Sequence, residues 1–256
     1  MSSKLLPSIC IDAVFGNLSI DAACQEVVKA NVSSIEFWSW WDKDLAALQD
    51  AVSRYDLSIA CCCTRFISLV DPKLREQYLQ GLAESIAIAQ RLNVKTLISQ
   101  VGDFIQGVPR AQQKQSLIDG LSAAAPLLED SGITLVVEPL NELVDHQGYF
   151  LVNSDEAFDI IRQVSSPNIK VLFDIYHQQI SEGHVISNIL ANIDYIGHFH
   201  AAGNPGRNEL QFGEINYPQV FLAIKETSYK GYVGLEYWPK TDDPIIALRE
   251  VSDWLD

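Results

Sequence analysis

The chain has 256 residues, of which 48% are apolar and 20% charged, so it is long enough for one large domain or two small ones. Its formal net charge of −15 argues against binding to a nucleic-acid backbone, which needs clustered lysine and arginine. The chain has neither a secretory leader nor an apolar run of about 18 residues, so we expect a cytoplasmic protein without membrane contact.

The chain carries five cysteines, three of them consecutive at positions 61–63. Neighbouring residues of a strand point to opposite faces, so adjacent cysteines are poor disulfide partners, and their spacing matches no zinc motif. We expect all five to be reduced and buried, as in a cytoplasmic protein.

Short apolar runs alternate with longer amphipathic segments along the chain. The apolar runs predict eight strands, at residues 8–13, 33–38, 58–64, 94–99, 133–138, 169–174, 194–200 and 232–237. Helical spacing of apolar residues predicts helices over 74–93 and over 115–132, the second ending at Gly132. Asn153 and Ser154, followed by two acidic residues, predict the start of another helix.

Strands that alternate with helices pair in parallel through right-handed crossovers. Eight such units in a chain of 256 residues match a (β/α)8 TIM barrel, and we predict one α/β barrel domain over residues 1–256. An open doubly wound sheet is the alternative. The absence of a glycine-rich phosphate loop after the first strand weighs against it.

Four consecutive predicted strands end on side chains that can bind a metal. These are Glu138, Asp174, His200 and Glu236, separated by 36, 26 and 36 residues. Active sites of TIM barrels lie at the C-terminal ends of the strands, so we expect the four side chains to converge. Three carboxylates that meet repel one another, and a divalent cation relieves that repulsion. Three oxygen ligands and one imidazole favour Mg²⁺ or Mn²⁺, with Co²⁺ able to substitute.

Each of these residues taken alone has a structural alternative, because a strand-terminal acid often caps the next helix and a strand histidine often packs in the core. Their recurrence on four consecutive strands favours the metal site. The residues two positions earlier share the same face, and three of them (Val136, Leu172 and Gly234) are apolar or small, as a barrel interior requires. The fourth, His198, either supports the metal site from below or is a buried structural histidine.

Three tryptophans follow the second predicted strand, at positions 38, 40 and 41. Strand alternation predicts that Trp38 and Trp40 share a face and that Trp41 lies on the other. Such rings either wall a small pocket or pack into a subunit interface.

The second half of the chain carries five recognisable motifs: EPLN at 138–141, FDIYH at 173–177, GHFHAAGNPGR at 197–207, GEINY at 213–217 and VGLEY at 233–237. Together they resemble the hydroxypyruvate isomerase family of the xylose isomerase-like TIM-barrel superfamily. EFWSWWDKD at 36–44 resembles the segment after the second strand in one branch of that family. The resemblance implies a metal-dependent isomerase that interconverts hydroxypyruvate and 2-hydroxy-3-oxopropanoate, or a close oxo-acid analogue, through an enediolate.

The resemblance also implies roles for individual residues and an oligomeric assembly. One divalent metal is held by Glu138, Asp174, His200 and Glu236. The acid–base pair is Glu138 and Glu236, and substrate oxygens are contacted by His177 and Arg207. A guanidinium suits a substrate carboxylate. The alternative for Arg207 is that it is a surface arginine in a polar loop, and the alternative for His177 is that it only packs beneath the loop. The family acts on small molecules and forms homodimers or homotetramers.

Several positions depart from the family pattern. His200 stands where the better-known bacterial hydroxypyruvate isomerases carry glutamine and where ketose 3-epimerases carry histidine. Gly203 stands where an aspartate is usual, and Gln211 and Phe212 stand where Gly-Thr is expected. A ketose 3-epimerase acting on free sugars is therefore the alternative function, while the apolar loops after the first strands favour a short substrate. A DNA-cutting relative is disfavoured by five histidines and a net charge of −15, and a non-enzymatic barrel by the retention of every ligand.

Overall fold

A computed structural model of the chain describes residues 4–241 and 243–255. Within these residues eight parallel strands close into one barrel, in chain order, with the last strand paired to the first. The strands are β1 (Leu6–Cys10), β2 (Ser34–Phe37), β3 (Ser58–Cys63), β4 (Thr96–Ser99), β5 (Thr134–Val137), β6 (Ile169–Asp174), β7 (Ile196–Ala201) and β8 (Tyr232–Leu235). The predicted TIM barrel is confirmed.

Helices surround the barrel and connect successive strands. They are α1 (Ile11–Val14), α2 (Ile20–Lys29), α3 (Leu45–Arg54), α4 (Arg75–Arg91), α5 (Arg110–Ser131), α6 (Ser154–Val164), α7 (Ile175–Ser181), α8 (Val185–Asn192), α9 (Tyr217–Lys225) and α10 (Pro244–Leu255). As predicted, Gly132 follows α5 in the left-handed conformation, with φ +67°. None of the described helices is both long enough and apolar enough to cross a membrane.

The first predicted strand is the one whose end differs most from the structure. Residues 8–13 were expected to be extended, but β1 ends at Cys10 and Ile11–Val14 forms a helical turn. The side chain of Asp12 accepts a hydrogen bond from the backbone N–H of Trp38 at 2.8 Å and pairs with Lys43 at 2.8 Å. These contacts hold the turn against the loop after β2.

The core lies in two layers. The larger layer fills the space between the outer face of the barrel and the helices. The smaller one lies inside the barrel and consists of Cys61, Cys63, Ile98, Val136 and Leu172. The barrel interior is therefore packed, and a ligand would reach the barrel at its rim.

All five cysteines of the chain are buried, and none forms a disulfide. Burial together with Asp21 raises the pKa of Cys24 to about 11.

Candidate functional site

The four predicted ligands meet at the C-terminal rim of the barrel. Glu138 follows β5, Asp174 ends β6, His200 lies within β7 and Glu236 follows β8. Each offers one ligand atom, these atoms all lie within 4.8 Å of one another, and each residue is at most 5% exposed. The convergence expected from neighbouring strand ends is thus observed.

His200 stands at the centre of this cluster. Its Nδ1 atom lies 3.3 Å from Oε1 of Glu138 and 3.6 Å from Oε2 of Glu236. Nδ1 is buried and has no hydrogen-bond partner among the described residues. An imidazole nitrogen left unpaired beside carboxylate oxygens is the donor set of a divalent-cation site, so the residues present fit such an ion.

Asp174 both caps the helix that follows it and presents an oxygen to the site, so the two roles weighed from the sequence are combined in one side chain. Its Oδ1 caps α7 by accepting hydrogen bonds from the backbone N–H groups of Tyr176, at 2.8 Å, and His177, at 3.1 Å. Its Oδ2 faces the rim instead, 3.8 Å from Nη2 of Arg207. One carboxylate therefore fixes the start of a helix and still presents an oxygen to the site.

The two glutamates differ in electrostatic environment. Burial raises the pKa of Glu138, and its carboxylate receives no hydrogen bond from the described residues beyond the contact with His200. Burial also acts on Glu236, but Arg207 and His200 outweigh it and lower the pKa of that carboxyl. Glu236 accepts a hydrogen bond from Nε1 of Trp38 at 2.5 Å and another from Nη2 of Arg207. Glu236 is held in place, whereas Glu138 is not.

Arg207 is a buried part of the site, with 8% of its surface exposed, and not a surface arginine. Its guanidinium lies between two aromatic rings, 5.3 Å from the centroid of Tyr176 and 5.0 Å from that of Trp238. Its Nε atom is buried without a hydrogen-bond partner among the described residues. Arg207 thus neutralises Glu236 and keeps an unused donor.

His177 is fully buried and does not line the cavity. Its Nδ1 accepts from the backbone N–H of Asn141 at 3.3 Å and lies 2.7 Å from the side-chain Nδ2 of the same residue. Nε2 lies 3.6 Å from Oδ2 of Asp174 and has no hydrogen-bond partner within the described part of the chain. Burial and the Arg207 charge lower the pKa of His177 well below its usual range.

A cavity of about 290 Å³ opens at the rim, and Glu138, His200 and Glu236 line it, whereas Asp174 does not. Its walls are mainly apolar and come from the loops after most of the strands. They are formed by Trp38, Ser39, Cys63, Phe66, Ile98, Gln100, Glu138, Leu140, His146, His200, Arg207, Glu236 and Trp238. Such a space accommodates a small-molecule substrate.

The tryptophans after β2 separate in a way that strand alternation does not predict. Trp38 faces the cavity, 6.2 Å from Trp238, whereas Trp40 packs edge-on against Trp41. The expectation that Trp38 and Trp40 share a face was wrong, because β2 ends at Phe37 and the two-residue period ends with it.

The sequence reasoning missed three residues of this region. His146 lines the cavity, and its ring lies 5.2 Å from that of the buried His177. Trp238 also lines the cavity and packs over Arg207. Glu36, inside β2, lies directly beneath His200. Its one available signal was a charge in the middle of the apolar run SIEF, which is unusual in a strand of a packed barrel.

Comparisons with known proteins place these features in context. A model of the xylose isomerase-like TIM barrel matches residues 24–256. The chain is 30% identical over 240 residues to hydroxypyruvate isomerase of Escherichia coli K12, covering 90% of this chain and 92% of that protein. It is 39% identical over 131 residues to 2-oxo-tetronate isomerase of Cupriavidus necator, covering 51% of this chain and 50% of that protein.

Solved structures show the same fold. A protein of Brucella melitensis described as an AP endonuclease of family 2 superposes with a TM-score of 0.91 at 24% identity, covering 99% of this chain and 100% of that one. D-psicose 3-epimerase of Clostridium cellulolyticum H10 superposes with a TM-score of 0.79 at 17% identity, covering 97% and 92%. At these identities the likeness concerns the barrel alone.

Proposed function

The chain belongs to the xylose isomerase-like TIM-barrel family, and on that premise we propose that it is a metal-dependent isomerase of short oxo acids. The substrate we favour is hydroxypyruvate, converted to 2-hydroxy-3-oxopropanoate, or a close analogue such as an oxo-tetronate. The names of the Escherichia coli and Cupriavidus necator relatives support this class of substrate. For the cation we propose Mg²⁺ or Mn²⁺, with Co²⁺ able to substitute.

One observation carries the proposal: two glutamates with different restraints face one cavity. Glu236 is held by Trp38 and Arg207, whereas the carboxylate of Glu138 receives no hydrogen bond from the described residues beyond its contact with His200. They come from the ends of β8 and β5, so they approach a bound molecule from different sides. This is the arrangement that a proton transfer between neighbouring carbons needs.

The two carboxylates perform the proton transfer as an acid and a base. One glutamate removes the proton from the carbon that bears the hydroxyl group, and a proton returns to the neighbouring carbonyl carbon. A C–H bond breaks at the first carbon and forms at the second, while the hydroxyl proton moves to the other oxygen. A bound divalent cation, held by Glu138, Asp174, His200 and Glu236, would supply Lewis acidity for this transfer.

Arg207 gives the cavity its preference for an acid. Among the described residues that line the cavity it is the one lysine or arginine. A guanidinium binds a carboxylate through two parallel hydrogen bonds, and hydroxypyruvate has a carboxylate whereas a free sugar has none. Ketose 3-epimerisation is the second candidate, and the apolar walls formed by Trp38, Ile98 and Leu140 offer little to hold sugar hydroxyls.

The test is a proton NMR time course in D₂O with Mg²⁺ and hydroxypyruvate, with Glu138→Gln as the inactive control. We expect the aldehyde hydrate to appear, with deuterium entering at carbon. Exchange of deuterium without isomerisation would keep the acid–base pair and exclude the substrate. No reaction with hydroxypyruvate, together with turnover of a free ketose, would overturn the proposal in favour of the epimerase.

A further inference from the structure

A second polar cluster lies inside the barrel, one layer below the proposed metal ligands. Its centre is the carboxylate of Glu36, which is 2% exposed. Oε2 accepts a hydrogen bond from Oγ of Ser8 at 2.5 Å and lies 3.1 Å from Nε2 of His198 and 3.5 Å from Sγ of Cys61. A carboxylate this deep in an apolar core costs several kcal/mol unless it is paired, so its retention calls for a reason.

The other oxygen of Glu36 points up towards the site. Oε1 lies 3.0 Å from Nε2 of His200, and neither atom has a hydrogen-bond partner among the described residues, so the two face each other as an unsatisfied buried pair. The opposite ring nitrogen, Nδ1, is the one that faces Glu138 and Glu236. The imidazole therefore bridges two layers, with one nitrogen towards Glu36 and the other towards the proposed cation.

The barrel makes room for this carboxylate at a specific position. Gly234 of β8 lies across the interior, and a Cβ atom there would overlap Oε1 of Glu36. The space that a side chain would fill is occupied by the carboxylate. Two residues later β8 delivers Glu236, so one short stretch both admits Glu36 and supplies a ligand.

We propose that Glu36 is a positioning residue, which holds Nε2 of His200 as an N–H donor and so presents Nδ1 to the cation. The proposal rests on the function proposed above, since it presumes a cation at the four ligands. A histidine that ligates through one nitrogen commonly donates its other N–H to a carboxylate, which fixes the tautomer and the ring orientation. His198 and Ser8 in turn fix the carboxylate of Glu36.

Binding of Mn²⁺ to the full chain, measured by calorimetry, tests the proposal without reference to turnover. Loss of an outer carboxylate of this kind lowers metal affinity by about 10- to 100-fold, and we expect that loss for Glu36→Ala. Glu36→Gln keeps an acceptor and should lose less. If Glu36→Ala fails to fold, Gly234→Ala provides a second test, because it retains Glu36 but pushes its carboxylate away from His200. We expect the same loss of Mn²⁺ affinity in that variant. Ser34→Ala removes a buried hydroxyl from the same strand away from the site and should bind Mn²⁺ as wild type does.

A spectroscopic readout separates positioning from general disturbance. In ¹⁵N-histidine-labelled protein with Mg²⁺, His200 should carry its proton on Nε2, and Glu36→Ala should shift that signal while the signal of His177 stays unchanged. Equal Mn²⁺ affinity of wild type, Glu36→Ala and Gly234→Ala would overturn the role of Glu36 and leave the proposed function standing. Absence of Mn²⁺ binding by the wild-type chain would overturn both.

Discussion

At the scale of single residues, both glutamates of the proposed acid–base pair can be tested by substitution. Glu138 and Glu236 each stand at a strand end, but only Glu236 accepts hydrogen bonds from Trp38 and Arg207. General acid–base groups contribute about 10²- to 10⁴-fold to a rate. We therefore expect Glu138→Gln and Glu236→Gln each to lower kcat by at least about 10²-fold, as measured by the NMR assay. Retention of kcat within about 10-fold by either variant would exclude that residue from the pair.

Trp38 supplies one of the two donors that hold Glu236. In Trp38→Phe the ring remains and the indole N–H is lost, and a hydrogen bond to a charged group is worth about 1.5–3 kcal/mol. We expect kcat/KM to fall by about 10- to 100-fold in steady-state kinetics. Trp40→Phe is the matched control, because it loses an N–H that points to Ser85, outside the cavity. Equal kinetic losses in both variants would mean that Trp38 acts only through packing.

At the scale of elements, Glu209 joins the loop after β7 to the segment after β8. It is fully buried, and it accepts hydrogen bonds from the backbone N–H of Lys240 at 3.0 Å and from the N–H and Oγ1 of Thr241 at 2.9 and 2.6 Å. Burial raises its pKa, but the hydrogen bonds from Thr241 outweigh this and lower it. A depressed pKa stabilises the fold above the unfolded-state pKa of about 4.3, and that stabilisation fades as pH falls through the folded value.

Glu209→Gln should therefore lower the melting temperature at pH 7, in line with a loss of about 1–3 kcal/mol. The difference from wild type should shrink as the pH falls from about 4.3 towards the lower folded-state pKa, because the carboxyl group of the unfolded wild-type chain then takes up a proton before that of the folded chain does. Melting curves of both proteins between pH 7 and about pH 3 measure this. A difference that does not change with pH would show that the charge of Glu209 is not involved.

The strands and helices show how much of the fold and of the candidate site could be predicted from the sequence. The strand runs and their terminal side chains follow from local pattern, so Glu138, Asp174, His200 and Glu236 could be grouped before any coordinates existed. Glu36 could not, since its partner His198 lies far along the chain and only closure of the barrel brings β2 and β7 together across its interior. The turn at Ile11–Val14 depends likewise on Asp12 reaching Trp38 in the next unit. Local pattern predicts elements, and contacts between distant elements decide their ends.

At the scale of the whole molecule, the buried charges link the proposed cation to stability. Three carboxylates and one arginine lie at the rim, and burial raises the pKa of Asp174 as it does that of Glu138. A cation that binds the folded chain alone, at 100 times its Kd, adds about 2.7 kcal/mol of stability. We expect Mg²⁺ or Mn²⁺ to raise the melting temperature and EDTA to reverse the rise and abolish turnover. Melting that is insensitive to both would count against the metal site.

The cavity also has two halves of different character. Every proposed ligand comes from the strands β5 to β8, whereas Trp38, Phe66 and Gln100 reach the cavity from the loops after β2, β3 and β4. Two residues of the first half nevertheless reach the proposed ligands, because Trp38 donates a hydrogen bond to Glu236 and Glu36 contacts His200. Changes at Phe66 and Gln100 would alter the shape of the cavity while Trp38 and Glu36 keep Glu236 and His200 in place. New substrates can therefore arise in a barrel of this kind through changes in the loops after β3 and β4, with the chemistry of the strand ends retained.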